Sequence, residues 1–66
     1  MTNFHPGDKI YTFIGQKLYE LTVISIVDDL RLSAEGDDAT WCLYKDSCHK
    51  TEWQAYRAMR DYLETL

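Results

Sequence analysis

The apolar residues of this chain change their spacing once, at Thr51. Before it they fall in short blocks that alternate with polar residues, broken by glycines and acidic pairs; after it they recur at intervals of three and four. Alternation marks strands and the longer interval marks one face of a helix, so the chain is limited to a set of short strands followed by a single helix. At 66 residues there is room for one small domain. Ordering such a chain costs on the order of 100 kcal/mol of conformational entropy, at about 1.5 kcal/mol per residue, so nearly every aliphatic and aromatic side chain has to be buried at least in part. Few residues remain for a catalytic cleft. Hydrophobic residues make up 45% and charged residues 27%, the composition of a globular chain.

Met1 to Asp8, with Pro6 and Gly7, reads as a short arm over residues 1–7 that turns into a first strand, Lys9 to Phe13. Gly15 supplies the reversal, and Leu18 to Val27 forms the second strand of a hairpin. Leu21 and Val23 share one face of that strand while Ile24 and Ile26 share the other, so a bulge or bend near Ile24 and Ser25 is expected to return Ile26 to the core. Turns at Asp28-Asp29 and at Glu35 to Asp38 bracket a third strand, Leu30 to Ala34, and Thr40 to Tyr44 makes a fourth. Asp46 to His49 can hold a very short fifth strand at an edge.

Thr51 and Gln54 have the capping-box spacing, with the Thr51 hydroxyl closing the helix start and Gln54 reaching back to the Thr51 amide. A helix over about 52–64 then carries Ala55, Tyr56, Met59, Tyr62, Leu63 and Leu66 on one stripe. Its other side offers two ion pairs, Arg57 with Asp61 and Arg60 with Glu64. The expected core is Ile10, Leu21, Val23, Ile26, Leu32, Leu43, Tyr56, Met59 and Leu63. The fold class is therefore α+β, mainly β: a small twisted antiparallel sheet or partly open barrel of four to five strands, followed by one C-terminal amphipathic helix.

Several stretches carry a resemblance at this point. Gly7 to Tyr11, Thr22 to Ile26, Trp41 to Tyr44, and Lys50, Thr51, Glu52 and Ala55 are similar to a loose family of small Src-homology-3-like barrels. Many of its members are uncharacterised proteins of phages, prophages and mobile elements. The resemblance implies a barrel of that kind and a phage or prophage setting. It implies no catalytic residue, because the family is defined by fold. Trp53 departs from it, standing where members often carry a charge, and so does the Cys48-His49 pair.

Eleven acidic against seven basic side chains give a formal charge of -4, which opposes binding to a phosphate backbone. Asp28, Asp29, Glu35, Asp37 and Asp38 fall in one stretch whose only base is Arg31. They read either as two solvated turns or as an acidic face that meets a basic partner or mimics DNA. Cys42 and Cys48 are too few to staple a secreted scaffold, and no charged-then-apolar segment opens the sequence, so free thiols and a cytoplasmic location are expected. Cys42, Cys48, His49 and His5 lack the spacing of a zinc knuckle, and no metal or other cofactor is expected. The longest apolar run, Val23 to Val27, is far short of the roughly 20 residues that span a bilayer.

No serine sits on a glycine-flanked elbow, the glycines stand apart from one another, and the acidic pairs do not follow a calcium loop, so no enzyme activity is expected. The aromatics are more informative. Two Trp, five Tyr and two Phe exceed what one small core encloses, which sends some of Tyr11, Tyr19, Trp41, Tyr44 and Trp53 to the surface. Trp53 lies about 120° from the centre of the helical stripe, near Arg57, Arg60 and Glu64. It either folds back over the sheet edge or anchors an interface, since Trp, Tyr and Arg are the common makings of a hot spot. The expected function is a non-enzymatic protein-binding module, set by the resemblance in phage biology as an inhibitor that occludes a basic surface of a host DNA-handling or defence protein. Partner-binding residues are Asp28, Asp29, Glu35, Asp37, Asp38, Trp53, Arg57 and Arg60. A homo-oligomeric subunit is the alternative, and a nucleic-acid-binding barrel, with bases on Tyr11, Tyr19, Tyr44 and Trp41, comes third.

Overall fold

The structure is a computed structural model that describes residues 3–65. Four strands, β1 (Lys9–Ile14), β2 (Lys17–Ile26), β3 (Arg31–Glu35) and β4 (Thr40–Tyr44), pair as a meander in the order β1-β2-β3-β4. Every pair is antiparallel and the sheet is not closed. A 3-10 turn, Lys45–Ser47, leads to the helix α1 (Glu52–Thr65). The protein is thus mainly β with one C-terminal helix. Leu66, the last residue of the expected helical stripe, lies outside the described residues.

Local chemistry accounts for the strand connections. Ile14 pairs with Lys17, leaving Gly15 and Gln16 as a two-residue loop. Gly15 has φ 67° and Gln16 has no positive φ, the pattern of the tight hairpin turn that wants glycine first. In β2, Val23 faces Ala34 and Ser25 faces Ser33, so Ile24 is the extra residue of a bulge where the failure of alternation placed one. The bulge brings Ile26 into register with Leu32, yet Ile26 stays 39% exposed, against the expectation that it joins the core. Its neighbours Val27 and Leu30 are exposed as well; Ile26 and Leu30 line an open groove with Phe4 and Cys48 at the rim of the core, and among the described residues no side chain covers them there.

One side of the sheet forms the core: Ile10, Leu21, Val23, Leu32 and Ala34, joined by Phe4 and Cys48, with Tyr19, Trp41 and Leu43 packed at its margin. Phe4 comes from the expected arm, which is held by a Gly7 amide bond to the Val23 carbonyl (2.8 Å) and a Val23 amide bond to the Asp8 carbonyl (2.9 Å). The expected fifth strand shrinks to one residue: the Tyr11 amide donates to the His49 carbonyl (2.7 Å) and the His49 amide donates back (2.9 Å). That bridge covers part of the free edge of β1. Beside it the buried Thr12 hydroxyl donates to the Ser47 carbonyl at 2.8 Å, which lets a polar side chain sit in the interior.

The helix begins where the capping pair puts it. The Gln54 amide donates to the Thr51 hydroxyl (3.1 Å), and the Gln54 side chain accepts from the Lys50 amide (3.1 Å), one residue earlier than the capping box requires. Its principal packing partner is β1. Ala55 is fully buried and Ala58 and Met59 are half-buried, but Tyr56 (53%) and Leu63 (59%) are exposed, correcting their place in the core. The stripe is wider than the strand it lies on. Small alanines set the close approach, Tyr56 keeps only an edge-on contact with Phe13 (centroids 5.6 Å apart), and every residue from Arg60 to Thr65 is exposed. Of the two expected ion pairs, Arg60 with Glu64 forms at 3.2 Å and Arg57 with Asp61 does not.

Candidate functional site

The acidic stretch is not one surface. Asp28 and Asp29 occupy the turn before β3, and Asp37 and Asp38 the turn after it, with Glu35 at the strand's far end. The two turns sit at opposite ends of a five-residue strand, about 16 Å long at 3.3 Å per residue. Asp28 is committed to its own turn. Its Oδ1 accepts from the Leu30 and Arg31 amides (2.9 Å each), and its Oδ2 from the Arg31 guanidinium at 2.8 and 3.1 Å. The Arg31 side-chain bonds, then the Leu30 amide, hold the Asp28 carboxyl below its ordinary range, and the same bonds raise the Arg31 guanidinium. With its charge matched and its oxygens engaged, Asp28 is a turn residue.

Asp37 and Asp38 are exposed, in a turn closed by a Gly36 amide bond to the Ala39 carbonyl (2.9 Å). A Cβ on Gly36 would come within 2.9 Å of the buried Leu21 side chain, so glycine lets the acidic turn lie directly on the core. Glu35, Asp37 and Asp38 line a shallow groove with Lys17, Tyr19 and Trp41. Its floor is the tilted Tyr19–Trp41 pair, with ring centroids 5.8 Å apart, and the Lys17 ammonium stands over Tyr19. Lysine among the acids makes this groove mixed in charge rather than purely acidic.

The second surface is the outward side of α1. Trp53 is 72% exposed, so it does not fold back over the sheet edge. Trp53, Tyr56, Arg57, Arg60, Asp61 and Glu64 line one shallow groove along the helix, and Leu63 continues its apolar strip toward the C-terminus. Three of the expected binding residues, Trp53, Arg57 and Arg60, therefore share one face. Spacing alone places Tyr56 and Leu63 in the core; the signal that they belong here is that an alanine, Ala55, and not a large side chain, centres the buried side of the helix.

The remaining reactive groups are spread out. Cys48 is buried, its thiol donates to the Tyr44 carbonyl at 3.4 Å, and burial pushes it up to about 11, which removes it as a nucleophile near neutral pH. Cys42 is exposed on β4, and both cysteines are free. Burial lowers the His49 imidazole below its ordinary value, favouring the neutral form. Among the described residues no group of three or more His, Cys, Asp or Glu is placed to hold a metal ion, and no helix is long and apolar enough to cross a membrane. Compared with family models, curated proteins and solved structures, the chain matches none.

Proposed function

We propose that this protein is a non-enzymatic protein-binding module that docks through the outward face of α1. The observation that carries this reading is the row Trp53, Tyr56 and Leu63, exposed beside Arg57 and Arg60 on a helix whose residues from Arg60 to Thr65 are all exposed. Exposing a tryptophan, a tyrosine and a leucine on one helix face forfeits about 1.5 to 3 kcal/mol of burial for each large side chain, which a partner would recover. A helix end with little packing is marginal by itself and gains order on docking. Aromatic and arginine side chains at the middle of a patch are what dominate binding energy in protein interfaces.

The resemblance to small barrels of phages and mobile elements supports a setting in which the partner is a host DNA-handling or defence protein. A basic surface on that partner would meet the Glu35, Asp37 and Asp38 turn, not the whole acidic stretch, since Asp28 is neutralised by Arg31. The two surfaces separate in a capture experiment on host lysate with three baits: the parent chain, Trp53→Ala with Leu63→Ala, and Asp37→Asn with Asp38→Asn. A protein retained by the parent, lost with the helix variant and retained with weaker salt dependence by the acidic-turn variant is the expected result. Retention by the helix variant at parental strength would overturn the reading.

A further inference from the structure

We propose that the groove between β2 and the turn joining β3 to β4 is a binding site for an arginine side chain of the protein partner. The inference rests on the reading that a basic surface of the partner meets the Glu35, Asp37 and Asp38 turn, and it names the group that does so. The floor of the groove is aromatic: Tyr19 and Trp41, both half-buried, lie with ring centroids 5.8 Å apart and planes tilted by 50°. Its rim is acidic, and among the described residues none of Glu35, Asp37 and Asp38 is in an ion pair. Gly36 brings that rim to the floor, because it lets the turn lie on Leu21, the next residue after Tyr19 on the same side of β2. The chain itself already sets a cation here. Lys17, two residues before Tyr19 and on the same side of the strand, holds its ammonium 5.3 Å from the centre of the Tyr19 ring.

Lys9 and Glu20, which also line the groove, approach each other to 3.9 Å, so the three rim carboxylates face only Lys17 and the groove keeps a net negative charge. A cation is therefore the ligand that complements it. An aromatic face attracts positive charge, and the carboxylates beside it accept hydrogen bonds. A planar guanidinium satisfies both at once, stacking on a ring and donating from its edge to the rim. An ammonium is a compact point charge that has to choose, as Lys17 does: it stands over Tyr19 and pairs with none of the acids. Lys17 also competes with the ligand, as a like charge and as an occupant of the same floor. At about 680 Å³ the groove is in the size range of ligand clefts, so it admits the side chain together with backbone on either side of it.

The emission of Trp41 in a Trp53→Phe chain tests this without involving the α1 face, with circular dichroism to show that each variant folds. The probe is a capped alanine pentapeptide with one central arginine, and its counterparts carry lysine or glutamate at that position. The arginine peptide is expected to change the emission saturably, with a dissociation constant on the order of millimolar. The lysine peptide is expected to bind about threefold more weakly or worse, and the glutamate peptide not to bind. Adding Asp37→Asn with Asp38→Asn should weaken arginine binding about fivefold, and adding Lys17→Gln should strengthen it about twofold. An emission that stays flat or drifts without saturating far above the millimolar range overturns the inference. Equal affinities for the arginine and lysine peptides also overturn it, since only bulk charge attraction would remain, as does arginine binding indifferent to the loss of Asp37 and Asp38. Failure here with Trp53-dependent capture of a lysate protein intact would remove this site and leave docking through α1 standing; arginine binding without such capture would do the reverse.

Discussion

Single residues carry the clearest consequences of burial. Cys48 is buried with its thiol pushed up to about 11, and Cys42 is exposed, so native alkylation with iodoacetamide followed by mass spectrometry should give one adduct, on Cys42, with Cys48 reacting only after denaturation. Modification of Cys48 at a comparable rate would contradict its place in the core. Two groups set the acid response. His49 binds its proton less readily folded than unfolded, so its contribution to stability is complete above the ordinary histidine value of 6.5 and declines as pH falls below it. Asp28 has the opposite origin and a lower window: its depressed carboxyl contributes stability above the ordinary carboxylate value of 3.8, and that contribution is lost as pH falls further through the folded-state value. Denaturant midpoints should therefore drop in two stages on acidification, and His49→Gln should remove the first. Several of these residues were hard to read in the sequence. Phe4 and Thr12 look like arm and polar strand positions; Phe4 reaches the core because Gly7 and Asp8 fix the arm to the Val23 backbone, and Thr12 because the distant Ser47 carbonyl accepts its hydroxyl.

At the scale of elements, sequence patterns identified what local geometry controls and missed what docking controls. The Gly15 turn, the Ile24 bulge and the Thr51 helix start follow from backbone chemistry within a few residues, and all three appear where the residues placed them. The side of α1 that faces the sheet depends on which strand it meets and how closely, which no periodicity records. Stability measurements separate the two. Leu32→Ala, at a fully buried position, should cost about 2 to 5 kcal/mol, whereas Leu63→Ala should cost less than about 1 kcal/mol. Thr51→Ala removes the capping oxygen and should cost roughly 1 kcal/mol by denaturant unfolding. A Leu63→Ala loss as large as that of Leu32→Ala would mean that the helix packs by its whole stripe.

On the scale of the whole molecule, the sheet and the helix divide the work. The sheet, with Phe4 and Cys48, holds the core, while α1 is secured at its first half and leaves its outer side and last turns exposed. The candidate site was partly legible: exposed aromatics beside Arg57 and Arg60 could be read from the helical wheel, but the division of the acidic stretch into two ends of β3, and the neutralisation of Asp28, needed the fold. The central claim, that the Trp53 face docks a protein, is tested most directly by the fluorescence of a Trp41→Phe chain, in which Trp53 is the sole reporter. Titrated with the captured partner, its emission should shift to the blue and its quenching by acrylamide should fall as the complex forms. Complex formation with unchanged emission and quenching would leave Trp53 in solvent and contradict the account.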